Sequence, residues 1–319
     1  MILFFIPLIL ETHEPYIIHT KGPVTLMDHP TSENPGELQE VSLLLTGAEQ
    51  TPVPCILTKP SRSTKRAVIL CHGFLSDKNS RTNRRLTELL VPEGIATFRF
   101  DWYGMGDLSK QFPHLTLQQC LDQLNTGVSY LLAQGYSSIG LIGSSFGGFM
   151  AILGAAHFPA IRAVGLKCPV VDFAECLQLE FGEQAMAVWK QTHQIPNILN
   201  DQELIPLQYA FFEECLRYDG YEWASRITVP TCVVHGEKDD LIPFHQIDRL
   251  MKVLAGPKDL RLLPNADHQF GHPEDFRIMT TLLAQWMIQQ VKDSGHLSSC
   301  HPSAIISPSP DQPFTSESS

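Results

Sequence analysis

Short apolar runs alternate with helical patterns from Gln39 onward, and this alternation constrains the fold more than any other feature of the sequence. Six runs are largely apolar or β-branched and are bounded by turn residues: Ala67 to Cys71, Ile95 to Phe100, Ser138 to Ile142, Ala163 to Leu166, Thr231 to Val234 and Leu260 to Leu263. Runs that are apolar on both faces are typical of parallel strands covered by helices on each side. Two further runs, Val41 to Leu45 and Val53 to Leu57, flank a turn and predict a hairpin. The sequence therefore predicts an α/β fold with a mostly parallel, doubly wound sheet of eight strands.

This alternation covers the middle of the 319-residue sequence but neither of its ends. We predict one α/β domain over residues 39–293, an irregular lead over residues 1–38 and a disordered tail over residues 294–319, because that tail is rich in Ser and Pro. About sixty residues separate the strand near Cys168 from the strand at Thr231, which far exceeds an ordinary connection. This stretch is rich in aromatic residues with helical spacing. It predicts an inserted lid over about residues 173–226, above the carboxyl edge of the strands.

Charge and composition exclude some classes of partner. The chain has 23 Lys and Arg against 34 Asp and Glu, a net charge of −11, which argues against a nucleic-acid partner. No run reaches the roughly 20 apolar residues of a membrane span. The apolar run Ile2 to Leu10 has no basic residue before it, as a secretion signal normally would. We expect a cytoplasmic protein, with export as the alternative, and the sequence leaves the oligomeric state open.

The eight cysteines favour a reducing compartment over a disulfide framework. Cys71, Cys168 and Cys232 lie in or beside apolar strands, where a free Cys behaves as a small apolar residue. No pair has the C-x-x-C spacing of a zinc or redox site, and no H-E-x-x-H motif occurs. The sequence therefore predicts neither a metal nor a cofactor.

A nucleophile is predicted at Ser145. The segment from Leu141 to Gly148 follows an apolar strand and opens a helix of small and apolar residues, and it contains Gly-Ser-Ser-Phe-Gly. A G-x-S-x-G segment between a strand and a helix raises its central serine above the edge of the sheet. Ser144 does not fit this register, because Ile142 and Phe146 would then occupy the glycine positions.

A serine needs a base and an orienting acid, and the chain supplies both after later strands. Asp239 follows the strand that ends near Val234, and its neighbour Asp240 is the alternative acid. His268 follows the strand that ends at Leu263, and His272 is the alternative base. The adjacent Asp267 is interpreted as a local cap. The sequence thus favours Ser145, Asp239 and His268 as a catalytic triad.

Two backbone N–H groups are predicted to bind the oxyanion of an acyl-transfer intermediate. One belongs to Phe146, the residue after the nucleophile. The other is assigned to Phe74, in the His72-Gly73-Phe74 turn that follows an earlier strand. His72 is interpreted as a brace of this turn, with a direct catalytic role as the alternative.

Five segments in this order resemble the α/β-hydrolase superfamily: His72 to Phe74, Arg99 to Asp107, Gly143 to Gly148, Gly236 to Pro243 and Asp267 to Phe270. They are most similar to cinnamoyl and feruloyl esterase-like hydrolases and to serine aminopeptidase-like hydrolases. Those esterases usually carry His before and Gln after the nucleophile, whereas this chain has Ser144 and Phe146, as oligopeptidase-type hydrolases do. Met105 stands where the esterases typically have His.

The predicted function is therefore a serine hydrolase that cleaves small or medium acyl esters through an acyl-enzyme. Hydrolysis of amides, peptides or thioesters by the same triad is the alternative within enzymes, because the same groups serve any acyl transfer. A non-catalytic protein that binds a small molecule on the same fold is the alternative outside enzymes.

Overall fold

The computed structural model describes residues 39–197 and 203–293, together with the backbone of Thr25–Leu26. Eleven strands lie in these residues: β1 (Thr25–Leu26), β2 (Gln39–Thr46), β3 (Pro52–Lys59), β4 (Arg66–Cys71), β5 (Ala96–Phe100), β6 (Ser138–Ser144), β7 (Ile161–Lys167), β8 (Gln194–Pro196), β9 (Leu204–Pro206), β10 (Thr231–Gly236) and β11 (Lys258–Leu263). Nine of them form one sheet in the order β1-β2-β3-β5-β4-β6-β7-β10-β11.

Strand directions confirm the predicted sheet. From β5 to β11 every neighbouring pair is parallel, whereas β2, β3 and β5 pair in antiparallel fashion at one edge. The eight strands of this sheet from residue 39 onward correspond to the eight predicted runs. The two-residue strand β1, paired with β2, makes the ninth strand and was not predicted.

Eight α-helices connect and cover the strands: α1 (Arg81–Leu90), α2 (Leu117–Ala133), α3 (Phe146–His157), α4 (Phe173–Thr192), α5 (Ala210–Cys215), α6 (Gly220–Ser225), α7 (Phe244–Val253) and α8 (Pro273–Asp293), all within the described part of the chain. Leu86 of α1 and Leu283 of α8 pack on one face of the sheet, together with Leu70 and Val234. Helices α2 and α3 pack on the opposite face. Helices on both faces explain why the central strands are apolar on both sides.

Local sequence sets the bounds of these helices. Helix α2 begins after Thr116, whose hydroxyl accepts the N–H of Gln119 at 3.1 Å, as an N-cap residue does. Leu124 and Val128 form its buried stripe. The chain leaves the helix through Gly135 at φ 87°, a left-handed conformation that costs glycine little.

The insertion between β7 and β10 contains more than the predicted helices. Helix α4 bends at Gly182 (φ 68°, ψ 170°), and strands β8 and β9 form a small antiparallel hairpin after it. The short helices α5 and α6 then lead back to the sheet. Trp189 is fully buried and donates its indole N–H to the carbonyl of Leu207 at 2.7 Å. Most of the aromatic side chains therefore pack the insertion together.

Several predictions fall outside the described residues: the tail over 294–319 and, apart from Thr25–Leu26, the lead over 1–38. Cys300 also lies outside them. The other seven cysteines are buried free thiols. Across residues 39–197 and 203–293, no helix has the length and apolar character needed to cross a bilayer.

Candidate active site

Ser145 stands between the end of β6 and the start of α3. Its backbone adopts φ 54° and ψ −118°, a conformation that a residue with a side chain rarely takes. Its N–H donates to the carbonyl of Lys167, at the end of the neighbouring strand β7, at 3.0 Å. The left-handed turn is thus held by the sheet, and strain of this kind is common at functional sites.

The two glycines of the predicted segment are required by close backbone contacts. A Cβ at Gly143 would collide with the carbonyl of Gly147, and a Cβ at Gly147 would collide with the carbonyl of Cys71. Strands β6 and β4 and helix α3 therefore approach each other more closely than any side chain allows.

The structure brings together the three residues of the predicted triad. The Nε2 atom of His268 lies 3.1 Å from Oγ of Ser145, and its Nδ1 lies 2.8 Å from Oδ2 of Asp239. Asp239 follows β10 and His268 follows β11, so both stand at the same sheet edge as Ser145. His268 is only 4% exposed, so this chain of contacts is largely removed from water.

The Asp239 carboxylate is held in one orientation. Its Oδ1 accepts the N–H groups of Leu241 at 3.0 Å and Ile242 at 2.9 Å, which leaves Oδ2 for His268. Burial alone would raise the pKa of this carboxyl, but hydrogen bonding and charge from His268, together with hydrogen bonds from Cys168 and Ile242, bring that pKa down to about 2. Asp239 is therefore ionised at neutral pH.

The alternative residues lie elsewhere. Asp240 is exposed, and Asp267 accepts the N–H of Gly271 at 2.9 Å, as its interpretation as a local cap predicted. The side chain of His272 is 71% exposed, and its nearest acidic partner is Asp275 at 4.0 Å. None of the three contacts Ser145.

The Phe74 turn lies against the nucleophile. A Cβ at Gly73 would stand 3.6 Å from Cβ of Ser145, and the rings of Phe74 and Phe146 are 5.9 Å apart. Among the described residues, the backbone N–H groups of Phe74 and Phe146 have no hydrogen-bond acceptor. Both groups are free to donate to a bound oxygen.

His72 braces the turn, as one of its two interpretations predicted. Its Nδ1 donates to the carbonyl of Gly73 at 2.8 Å, and its Nε2 accepts the N–H of Trp102 at 3.2 Å. Burial lowers the pKa of His72. The imidazole is therefore neutral, and it ties the turn after β4 to the loop after β5.

An ion cluster that the sequence did not reveal, formed by the buried Lys78 and Asp101 and the exposed Asp107, supports the same two loops. The Nζ of Lys78 lies 2.6 Å from both Asp101 and Asp107, and Asp101 also accepts the N–H of Lys78 at 2.7 Å. A Cβ at Gly106 would collide with the carboxyl group of Asp101. Asp101 and Asp107 lie in a recognised segment, but nothing in the sequence marked Lys78 as their partner.

Three residues around Asp239 were also missed. His235 is 1% exposed, and its Nδ1 lies 3.7 Å from Oδ2 of Asp239. Burial lowers the pKa of His235 to about 4 and raises that of the Cys168 thiol. Lys167 is buried as well, and burial lowers the pKa of its amine. All three lie at or beside the ends of apolar strands. The residue type alone did not distinguish any of them from an ordinary core residue.

One group of side chains has the donors of a metal site. Cys168, Asp239 and His268 offer a thiol, a carboxylate and an imidazole whose atoms lie within 4.8 Å of one another. Such a set suits a soft divalent cation. Hydrogen bonds from His268 and Cys168 to Asp239 account for the arrangement without an ion.

An apolar cavity of about 420 Å³ opens beside the Phe74 turn. Its apolar lining comes from the loops after β4 and β5 and from strand β9: Leu75, Met105, Phe112, Pro113, Ile205 and Pro206. The ring of Phe74 also packs against Phe173 and Phe211 of the insertion, with ring centres 5.5 and 6.1 Å apart. The Phe74 ring therefore joins the insertion to the turn beside Ser145, and the cavity opens on the far side of that turn, where Ser145 and His268 do not line it.

Known proteins share this architecture. Residues 82–294, about two thirds of the chain, match the prolyl oligopeptidase family. The chain is similar to palmitoyl-protein thioesterase ABHD10, mitochondrial, from Pongo abelii, with 24% identity over 233 residues, 71% of this chain and 74% of the relative. It is also similar to the structure of Est1E from Butyrivibrio proteoclasticus with bound ferulic acid, with TM-score 0.68 and 20% identity over 77% of this chain and 98% of that one.

A second solved structure has the same fold. Alpha/beta hydrolase domain-containing protein 10 from mouse has TM-score 0.62 and 19% identity, over 80% of this chain and 99% of that one. The α/β-hydrolase fold implied by the five sequence segments is thereby confirmed.

Proposed function

Because this chain belongs to the prolyl oligopeptidase family, a family of hydrolases, we propose that it is a serine hydrolase that cleaves carboxylic esters of small or medium acyl groups. One observation carries the proposal: His268 stands 3.1 Å from Oγ of Ser145 on one side and 2.8 Å from Asp239 on the other. A serine whose proton has an acceptor, and a histidine whose tautomer is fixed by a carboxylate, together form an activated nucleophile.

The steps follow from these contacts. Oγ of Ser145 attacks the acyl carbon, and its proton passes to Nε2 of His268. The imidazolium then gives that proton to the leaving oxygen as the bond to the acyl carbon breaks. Water attacks the acyl-enzyme by the same route and returns the proton to Ser145. Asp239 remains ionised throughout and stabilises the imidazolium.

In these steps the free N–H groups of Phe74 and Phe146 bind the oxyanion. Negative charge develops on the acyl oxygen as Ser145 attacks, and fixed donors stabilise it because they need not reorganise. The Phe146 N–H opens helix α3, where the helix dipole also favours negative charge. The His72 contacts and the Lys78 ion cluster fix the turn that carries Phe74.

Thioesters are the second candidate substrates. The apolar cavity beside the Phe74 turn suits a hydrocarbon acyl group, and the relative from Pongo abelii named above is a mitochondrial palmitoyl-protein thioesterase. The attack on an ester and on a thioester differs only in the leaving group, which the triad does not distinguish. In this proposal residues 39–293 act as the hydrolase domain, with the insertion over about residues 173–226 as its lid.

The buried free thiols of the described residues are relevant to the cellular compartment in which the protein works. Thiols persist where glutathione keeps them reduced, which favours the cytoplasm or the interior of the mitochondrion, the organelle in the name of the relative from Pongo abelii. Subcellular fractionation of the tagged full chain distinguishes the two.

Labelling with a serine-reactive fluorophosphonate tests the assignment. We expect one adduct, mapped by mass spectrometry to Ser145, and its loss in Ser145→Ala. Ser144→Ala is the matched control, because it removes the neighbouring hydroxyl and leaves the nucleophile in place. Label on another residue, or ester turnover that survives in Ser145→Ala, would refute the proposal.

A substrate panel then separates the candidate activities. Nitrophenyl esters, acyl thioesters and aminoacyl anilides are compared on the wild type and on Ser145→Ala. Faster turnover of esters than of anilides supports the proposal, and faster turnover of thioesters supports the second candidate. Preferred cleavage of the anilides would instead indicate a peptidase. Ligand binding without labelling or turnover would indicate a non-catalytic protein.

A further inference from the structure

Lys167 is a buried lysine that contacts both residues of the proposed proton-transfer pair, Ser145 and His268. It is the last residue of β7 and is 3% exposed. Its carbonyl accepts the N–H of Ser145 at 3.0 Å, and its Nζ donates to the carbonyl of His268 at 2.5 Å. In the described part of the chain, no carboxylate lies within ion-pair distance of this amine. A buried amine without a carboxylate partner is costly, so its placement calls for a function.

Among the described residues, the backbone groups of His268 itself make no other hydrogen bond, although its neighbours Ala266, Asp267 and Phe270 do. His268 lies in the loop between β11 and α8. In that loop Phe270 donates its N–H to Asp267 at 3.2 Å, and its carbonyl accepts Nη2 of Arg81 at 2.7 Å. The Nζ of Lys167 also stands 5.4 Å from the centre of the Phe270 ring. Lys167 therefore joins the loop that carries the histidine directly to the strand beside the nucleophile.

We propose that Lys167 is a positioning residue, which holds the backbone of His268 so that its ring spans Ser145 and Asp239. This inference rests on the proposed function, because it concerns the same proton transfer. Lys167 touches neither substrate nor reacting atoms. It acts through the carbonyl of His268, while its own carbonyl holds the strained backbone of Ser145.

The contact matters because proton transfer depends steeply on distance. The Ser145 to His268 contact is already 3.1 Å, and a displacement of about 1 Å between reacting groups costs on the order of 100-fold in rate. Without the amine, no backbone group of His268 has a hydrogen bond among the described residues, and only its ring contacts and the contacts of its neighbours remain. We expect the ring then to sample positions away from Oγ of Ser145, while the groups that bind the substrate stay in place.

Lys167→Met tests the proposal, because methionine fills much of the same space without an amine. We expect kcat to fall by about 10- to 100-fold, with KM within about two-fold of the wild-type value. Fluorophosphonate titration counts the competent active sites, so kcat is expressed per labelled site. Lys258→Met is the matched control, since Nζ of Lys258 also donates to a carbonyl, that of Leu254, at 2.9 Å, away from the site.

The titration separates positioning from mere folding. If Lys167 only supports the fold, Lys167→Met lowers the fraction of labelled sites, while kcat per labelled site stays within two-fold of wild type. That result overturns the proposal. If Met at position 167 gives no folded protein, Lys167→Leu provides the same comparison. Failure of the proposed function itself looks different, because the wild type then shows no labelling at Ser145.

Discussion

The two oxygens of Asp239 have separate partners, and this division makes the residue sensitive to a single-atom change. Oδ1 accepts the backbone N–H groups of Leu241 and Ile242, and Oδ2 faces Nδ1 of His268. A carboxylate can accept at both positions. An amide cannot, because its NH₂ group must face either the two backbone donors or the histidine N–H.

Asp239→Asn should therefore disable the enzyme without unfolding it. With the amide oxygen kept on the backbone donors, the NH₂ group faces Nδ1 and favours the tautomer in which Nε2 carries the proton. Nε2 can then no longer accept the proton of Ser145. We expect kcat for ester hydrolysis to fall by roughly 10³- to 10⁴-fold. Asp240→Asn, at the exposed neighbour, should retain kcat within two-fold. Equal losses in both variants would contradict the assignment of the acid.

His235 makes stability depend on pH. Its pKa is about 4 in the folded protein, because burial disfavours the charged ring, against 6.5 when exposed. Between these values the unfolded chain binds more protons than the folded one. Unfolding is therefore favoured as the pH falls from about 6.5 toward 4, with a slope of up to about 1.4 kcal/mol per pH unit for this one group.

His235→Phe should remove that part of the pH dependence. Nδ1 has no hydrogen-bond partner, and the ring already packs near Phe244, with centres 6.1 Å apart. At pH 7.5 we expect the free energy of unfolding to stay within about 1 kcal/mol of wild type. At pH 5 the variant should be the more stable protein by about 2 kcal/mol. Urea unfolding at both values measures the difference, and parallel pH curves for the two proteins would show that His235 does not titrate as described.

At the scale of elements, one carboxylate joins the insertion to the body of the fold. Glu214 of α5 accepts the N–H of Leu117 at 2.8 Å and that of Gln118 at 3.0 Å, at the first turn of α2. Those N–H groups have no partner within the helix, and a negative charge at a helix N-terminus is favourable. Glu214 is 8% exposed, so water replaces it poorly.

Glu214→Ala should loosen the insertion. Two N–H groups of the first helical turn, one of them at the buried Leu117, lose their acceptor, and we expect a loss of about 1 to 3 kcal/mol in the free energy of unfolding. Limited proteolysis should cut within residues 173–226 before it cuts elsewhere. Glu213→Ala, at the exposed neighbouring position, should cost less than about 0.5 kcal/mol. Unchanged proteolysis in Glu214→Ala would show that other contacts hold the insertion.

The elements that follow a simple period were predictable, and those that depend on distant partners were not. The parallel strands and the turn at Ser145 follow from local sequence, because apolar runs and two glycines specify them. Strands β8 and β9 are three residues each, too short to show alternation. Glu214, Lys78 and Lys167 make these contacts with residues 23 to 101 positions away in the sequence, and a single sequence does not reveal such pairs.

At the scale of the whole molecule, the strand order explains why one edge carries the chemistry. Strands β4, β6, β7, β10 and β11 lie in sequence across the sheet, and β4, β6, β10 and β11 are followed by Phe74, Ser145, Asp239 and His268 respectively. Because these strands are parallel, their carboxyl ends meet at one edge. Residues separated by up to about 190 positions in the chain thereby converge.

Net charge should act on catalysis through the approach of substrate. At −11, the chain repels a polyanion over distances set by the Debye length, about 30 Å at 10 mM salt and 8 Å at 150 mM. For a coenzyme A thioester, we therefore expect kcat/KM to rise several-fold over this range of salt. The N-acetylcysteamine thioester of the same acyl group is neutral and should change by less than two-fold. Stopped assays at both salt concentrations give the comparison. A fall in kcat/KM for the coenzyme A thioester would instead indicate that local cations, such as Lys110 at the cavity, attract the leaving group and outweigh the charge of the whole chain.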